Sequence, residues 1–285
     1  MRYCYARLSP VDLGWFRLFG PGLGNLLFPW ARSVVLARQL GLRQIAPAWP
    51  QFKPGPLLRG ERDARHYQGL FTPDPQAFTG LPKLRCLLSA RRIPEAQARH
   101  ARDGELVECT GMASLFEPIA AHHGEVREAL LRITRAPHLS GLQHDFRGSV
   151  SLHVRLGDFS TPANAQALQS APVNTRLPLA WYVDILRDLR ARHGQHLRAH
   201  VFSDGSDEEL APLLQEHNCG RIGFGSALAD LWAMSHADIL VASGSTFSMW
   251  ASFLGRMPVI WYPGQLRQKL YGSSGTLEAE LLRYP

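Results

Sequence analysis

Along the second half of the chain, apolar and polar positions alternate in short, well-separated blocks. Val150, Leu152 and Val154 alternate with Ser149, Ser151 and His153, a period of two that predicts a strand. It runs directly into Arg155-Leu156-Gly157-Asp158. Helical spacing follows over Pro178 to His193, with Leu179, Tyr182, Ile185, Leu186 and Leu189 on one face. Further strands are predicted over Arg198–Phe202, Gly220–Phe224, Asp238–Val241 and Met257–Trp261. Helices over Asp207–His217, Leu228–His236 and Phe247–Leu254 separate them, the first with Ser206 as N-cap. Repeated βα alternation predicts an α/β fold with a parallel sheet and helices on both faces.

The first half is less regular. Trp15 to Phe19 reads as a short strand ending in Gly20-Pro21-Gly22-Leu23-Gly24-Asn25. Leu26, Leu27, Trp30, Val34, Ala37 and Leu40 then recur at spacings of three and four, and Gly41 closes the helix. Strand, glycine turn and helix open a Rossmann-like unit in which Gly22 and Gly24 let the backbone approach a ligand. Arg43–Trp49 and Glu105–Thr110 are further strand candidates, Leu84–Ala98 is ambiguous, and Ile119–Ile133 has helical spacing. The proline-rich stretch Ala46 to Pro56 predicts a loop. Its Trp49, Phe52 and Lys53, with Arg59, His66 and Tyr67 after it, could meet a sugar or simply cover a small satellite core. Pro137 to Gly148 is polar and irregular and is the expected hinge. Two Rossmann-like domains are therefore expected, over residues 1–140 and 148–285.

Right-handed crossovers place all strand C-termini of a parallel sheet on one edge, where ligands of open α/β sheets bind. Three polar clusters fall there: Arg155/Asp158, Ser203/Asp204 and Ser243-Gly244-Ser245-Thr246. The last precedes a helix, where hydroxyls and free N–H groups suit a phosphate, although Ser245 and Thr246 serve equally as helix caps. Three clusters on one edge point to a nucleotide or nucleotide-sugar pocket.

Composition narrows the class. The 285 residues allow one large or two modest domains, and 45% apolar content is ordinary for a globular protein. The formal charge of +7 rests on 31 basic residues, of which only Lys53, Lys83 and Lys269 are lysines. Arginine suits phosphate because its fork binds in a bidentate way. No dense basic cluster interleaved with aromatics points to nucleic acid. Cys4, Cys86, Cys109 and Cys219 share neither metal-ligand spacing nor a disulfide framework, which suggests a reducing compartment. No signal-peptide pattern or membrane-spanning run is evident, so a cytoplasmic location is expected. No Asp-x-Asp pair or His/Cys cluster falls at a predicted strand end, so no metal and no cofactor is expected.

These residues resemble the bacterial α-1,2-fucosyltransferases, family 11 of the glycosyltransferases. That family's Gly-Gly-Leu-Gly-Asn motif is similar to Pro21–Asn25, and its His-Val-Arg-Arg-Gly-Asp-Tyr motif to His153–Phe159. Its Phe-Ser-Asp-Asp and Asn-Ser-Thr-Phe-Ser-Trp-Trp motifs are similar to Phe202–Gly205 and Gly244–Trp250, the latter including Phe247. The four motifs stand in family order, at family-like spacing, over nearly the whole chain. The resemblance implies a metal-independent, inverting transferase of the two-Rossmann (GT-B) type, its domains facing a cleft. The first domain would take the acceptor and the second GDP-fucose, with Arg155 on the donor pyrophosphate and Asn25 near the reacting centre. It further implies a glycan acceptor in cell-surface polysaccharide such as O-antigen, and peripheral association with the inner face of the membrane through a lipid-linked acceptor. Four positions depart from the pattern: Leu156 stands for an arginine, Gly205 for an aspartate, Gly244 for an asparagine and Met249 for a tryptophan.

In such a reaction Arg155, Ser245 and Thr246 would stabilise the departing diphosphate. Asp158, Asp204 and, more weakly, His153 are the candidates for the acceptor's general base. Two other readings compete. One is a nucleotide- or glycan-binding protein without turnover. The other is an NAD-dependent oxidoreductase, whose glycine fingerprint is incomplete around Gly20–Gly24 and lacks its downstream acid.

Overall fold

A computed structural model describes residues 1–55, 65–162, 168, 174–270 and 278–284. The chain divides into two compact units, Met1–Ala136 and Pro137–Pro285. Both are mixed α/β with parallel main sheets, the fold class the alternation predicts.

The first unit has a four-stranded sheet of β1 (Tyr3–Arg7), β4 (Arg43–Ile45), β6 (Arg91–Pro94) and β7 (Glu105–Thr110), in the order β4-β1-β7-β6, all parallel. Its opening strand is not Trp15–Phe19. That run supplies only β3 (Arg17–Leu18) of a small side sheet with β2 (Val11–Asp12) and β5 (Gln51–Phe52). The pattern misleads because this side sheet is inverted. Arg17 and Gln51, paired in register, lie buried underneath, where Arg17 donates to Gln51 Oε1 (2.6 Å) and to the carbonyl of Ala48 (2.9 Å). The next row, Val11, Leu18 and Phe52, faces outward, with Val11 and Phe52 exposed beside Trp15, Phe16 and Phe19. True β1, Tyr-Cys-Tyr-Ala-Arg, shows no alternation because both its faces are covered.

The glycine turn leads into a helix over Leu23–Leu40, which Gly41 ends in the left-handed conformation. The ambiguous stretch resolves into a helix over Gly80–Ser89, then β6. A second helix spans His123–Ile133. The sugar-facing reading of the proline-rich loop is corrected for two residues. Trp49 and Tyr67 are buried, and Trp49 stacks on Phe71 with ring centroids 4.0 Å apart. Arg59 lies outside the described residues.

The second unit holds a six-stranded, all-parallel sheet of β8 (Ser149–Val154), β9 (Arg198–Ser203), β10 (Cys219–Arg221), β11 (Ile239–Val241), β12 (Val259–Trp261) and β13 (Glu278–Glu280). Strand β13, beyond the Met257–Trp261 segment, has no counterpart among the strands the sequence predicts. The order is β10-β9-β8-β11-β12-β13. Counted from β8, this is 3-2-1-4-5-6, the doubly wound arrangement, and the order reverses between β8 and β11. Helices over Leu179–His193, Asp207–Leu214, Ala227–Met234 and Thr246–Gly255 connect the strands. Ser206 caps the second through a reciprocal pair with Glu209: it accepts from the Glu209 N–H (3.2 Å), and its own N–H donates to Glu209 Oε2 (2.9 Å).

Val150, Leu152, Ile185, Leu186 and Leu189 are all fully buried in one cluster that locks Leu179–His193 onto β8. Each such side chain stabilises the fold by about 1.5–3 kcal/mol. The expected hinge, Pro137 to Gly148, begins as a 3-10 helix over Ala136–Gln143, where an added Cβ on Gly141 would lie 2.4 Å from the Ala229 carbonyl oxygen. It is thus packed into the second unit. Between β8 and the helix over Leu179–His193, residues 163–167 and 169–173 lie outside the described residues.

Candidate functional site at the carboxyl edge of the second sheet

All six residues of β8 are buried, the polar alternates included. The chain reaches the carboxyl edge at Arg155, beside Asp204 of the neighbouring strand end, because Val154 pairs in register with Ser203. Arg155 Nη1 pairs with Asp204 Oδ2 at 2.6 Å, and Nη2 pairs with Asp158 Oδ1. The guanidinium also lies over the Phe159 ring, 5.1 Å from its centroid. Asp204 Oδ1 accepts from the backbone N–H of Leu156 (2.9 Å), so this carboxylate ties the β8 turn to β9. An added Cβ at Gly157 would lie 2.5 Å from Asp204 Oδ2, so a side chain there would have to push the carboxylate aside. One cation between two acids leaves the trio with a formal charge of −1.

Across the switch point, β11 runs through Ala242 into the loop Ser243-Gly244-Ser245. Ser243 and Ser245 are buried, and their hydroxyls build the loop rather than line its surface. Ser245 caps the helix Thr246–Gly255 by accepting from the Ser248 N–H (3.2 Å). Ser243 donates to Ser245 Oγ (3.0 Å) and lies within hydrogen-bond distance of Ser248 Oγ and His153 Nδ1 (both 3.1 Å). Thr246 and Phe247 are half-buried at the helix start, with the Phe247 ring 5.4 Å from the His153 ring.

His153 is only 5% exposed, and its Nδ1 sits 2.6 Å from Ser248 Oγ. Burial, helped by the Arg155 charge and opposed by Asp204, pushes its pKa down to about 3. A buried, neutral imidazole held by two serines positions the loop against β8; of the three base candidates it is the one withdrawn from the surface. Tyr182 supports the same strand end by donating to the His153 carbonyl (3.0 Å).

The second unit thus brings together Arg155, Asp158, Ser203, Asp204, Ser243, Ser245, Thr246 and Phe247. Gly22, Gly24 and Asn25 belong to the first unit, at the start of Leu23–Leu40. There the Asn25 N–H donates to the Gly22 carbonyl (3.0 Å). Sequence reasoning missed Gln265 and Arg267. Gln265 is buried against Gly244, where an added Cβ would meet its Oε1 at 1.8 Å. Arg267 Nη2 donates to the Gly244 carbonyl (3.3 Å). No short-range pattern marks either residue. Leu156, at a departure from the fucosyltransferase pattern, is buried and packs on Gly205, a second departure: a Cβ there would lie 2.4 Å from Leu156 Cδ1.

Among the described residues, no group of three His, Cys, Asp or Glu side chains could hold a metal ion, and no helix is long and apolar enough to cross a membrane.

No protein-family model matches the chain, and no curated protein matches it in sequence. Solved structures do. The fucosyltransferase NodZ from Bradyrhizobium is 13% identical over 90% of this chain and 94% of its own, with a TM-score of 0.53. NodZ described as an α-1,6-fucosyltransferase co-crystallised with GDP gives 13% over 92% and 94%, with a TM-score of 0.54. The apo form of POFUT1 gives 11% over 91% and 97%, with a TM-score of 0.50. At these identities the likeness is one of architecture: over nine-tenths of its length, the chain takes the two-unit, parallel α/β fold found in these fucosyltransferases.

Proposed function

We propose that the chain is a glycosyltransferase that moves fucose from GDP-fucose to a glycan. The observation that carries this reading is that the Arg155–Asp204 pair follows β8 and the Ser243–Thr246 loop follows β11, the two neighbouring strands between which the strand order reverses. That is where doubly wound sheets bind nucleotides. The GDP bound by NodZ, which shares the fold, supports the choice of nucleotide. An α-1,2 linkage to galactose, transfer with inversion, and a role in O-antigen or other cell-surface polysaccharide extend the reading; they rest on the four motifs. So does the assignment of the acceptor to the first unit, through Asn25 and the glycines before it.

In this reading the bond from anomeric carbon to phosphate breaks as positive charge grows on the fucose ring, and the diphosphate leaves with the electron pair. Arg155 donates to the departing oxygens, a task that needs no metal where fixed donors point at the developing charge. Asp158 and Asp204 remain the candidates to take the acceptor's proton: each is partly exposed, and each is held in place by Arg155.

The test is thermal stabilisation by GDP, UDP, ADP and NAD at equal concentration, followed by turnover of GDP-fucose with a galactose-terminated acceptor in chelator. A ligand that binds only the native state raises Tm. Selective stabilisation by GDP with fucose transfer is expected. GDP binding without hydrolysis or transfer would favour the non-catalytic binding protein. Stabilisation by NAD alone would overturn the reading in favour of an oxidoreductase.

A further inference from the structure

The charges at the carboxyl edge of the second sheet do not add up to a phosphate site on Arg155 alone. Arg155 is already flanked by Asp158 and Asp204. The arginines around it are committed too: Arg176 to Glu209 at 3.1 Å, and Arg221 to Asp207 at 2.6 Å. A diphosphate would approach a trio of net charge −1 with no free cation from these pairs.

Arg267 is different. It lies in the segment that leaves β12, between Tyr262 and Leu270, and it is half-buried. Among the described residues it makes one hydrogen bond, from Nη2 to the Gly244 carbonyl (3.3 Å), and no ion pair. The two acids of β13 nearest in connectivity are turned to the backbone instead. Glu280 accepts from the Leu266 N–H (2.9 Å) and Glu278 from the Leu270 N–H (2.6 Å), which anchors the segment on either side of Arg267. Gln265 fixes its height: its amide occupies the space a side chain at position 244 would take, so the segment rests on the Gly244 backbone itself. Burial lowers the Arg267 pKa. A guanidinium partly withdrawn from water without a counter-charge is costly unless a ligand supplies one. Gly244 stands three residues beyond Val241, the last residue of β11, and β11 pairs with β8, so Arg267 is held at the switch point that Arg155 borders from β8.

We propose that Arg267 is the second phosphate-binding guanidinium of this site, delivered by the C-terminal segment to meet the diphosphate of a nucleoside diphosphate. Arg155 then orients the phosphate from the β8 side, and Arg267 supplies the uncompensated positive charge from the β11 side. This rests on reading the edge as a nucleoside-diphosphate site.

Calorimetric titration of GDP, guanosine and inorganic pyrophosphate into the full chain and into Arg267→Met and Arg267→Lys tests it. Methionine keeps most of the apolar stem, and circular dichroism checks the fold. Expected is a loss of at least tenfold in GDP affinity for Arg267→Met, a smaller loss for Arg267→Lys, and unchanged guanosine affinity. A purely structural role would weaken guanosine as much as GDP. Parent-like GDP affinity in either folded variant would overturn the proposal while leaving the nucleotide reading intact. Pyrophosphate binding that needs Arg267, in a parent that binds no GDP, would keep the anion site and remove the nucleotide. A parent that binds neither GDP nor pyrophosphate would overturn both.

Discussion

Replacing Arg155 separates ligand binding from fold. The side chain is 21% exposed, and its partners Asp158 and Asp204 are 33% and 28% exposed, so these pairs are screened rather than buried. Partly exposed ion pairs each contribute roughly 0.2–1 kcal/mol. Arg155→Ala should therefore cost about 0.5–1.5 kcal/mol of stability, a fall of only a few degrees in Tm at this size. Strand β8 stays in place because Val150, Leu152 and Val154 are buried in the core. Binding should suffer far more. Charge-assisted hydrogen bonds are worth about 1.5–3 kcal/mol each. The alanine variant also leaves two carboxylates without their cation at the mouth of an anion site. A loss of about a hundredfold in GDP affinity is expected, with no detectable transfer. Arg155→Lys keeps the charge, but an ammonium cannot hold Asp158 and Asp204 apart and also donate to phosphate, so roughly a tenfold loss is expected. The assay is calorimetric titration of GDP with circular dichroism as the fold control. A folded Arg155→Ala chain that binds GDP as tightly as the parent would refute the reasoning.

Three further outcomes are expected. Gly157→Ala should displace Asp204 from Arg155, since the new Cβ would lie 2.5 Å from Oδ2. Donor KM should rise severalfold with a change in Tm of at most a few degrees, and an unchanged KM would count against the close approach. Gly205→Asp should destabilise the chain by about 1–3 kcal/mol through its collision with Leu156. Adding Leu156→Ala should recover part of that loss in chemical denaturation; strictly additive losses would refute the coupling. Stability should also fall with acidification. His153 is held at about 3 in the folded chain against about 6.5 unfolded. Its contribution is thus complete above pH 6.5 and is lost as pH drops toward 3, at no more than about 1.4 kcal/mol per pH unit. His200, lowered by burial, His144 and Arg198, acts in the same direction. Denaturation midpoints at pH 7 and pH 5 check this, and His153→Asn should flatten the slope.

How much of this was legible in the chain depends on the reach of each contact. Much of the second unit could be read because three of its strand ends are marked within a few residues: Arg155 after β8, Asp204 after β9, Ser243 after β11. Even the cap at Ser206 follows from its three-residue spacing to Glu209. The first unit could not be read the same way. Tyr3–Arg7 is covered on both faces and has no period, while Trp15–Phe19 has the apolar look of a core strand but turns its large side chains outward. Within the site, alternation marks β8 as a strand but not the partners of its polar side: Ser149, Ser151 and His153 are buried, and His153 meets serines some ninety residues away (|i−j| = 90 and 95). The departures from the fucosyltransferase pattern show most clearly why local reading stops. Taken singly, Leu156 is a missing arginine and Gly244 a missing asparagine. In the fold, Leu156 fills the space over Gly205, and Gln265 fills the space over Gly244. Each small residue is matched by a larger neighbour that would collide with the side chain it lacks. The replaced positions are therefore packed surfaces rather than holes. Around Gly244, that packing is what carries Arg267 to the carbonyl of the loop.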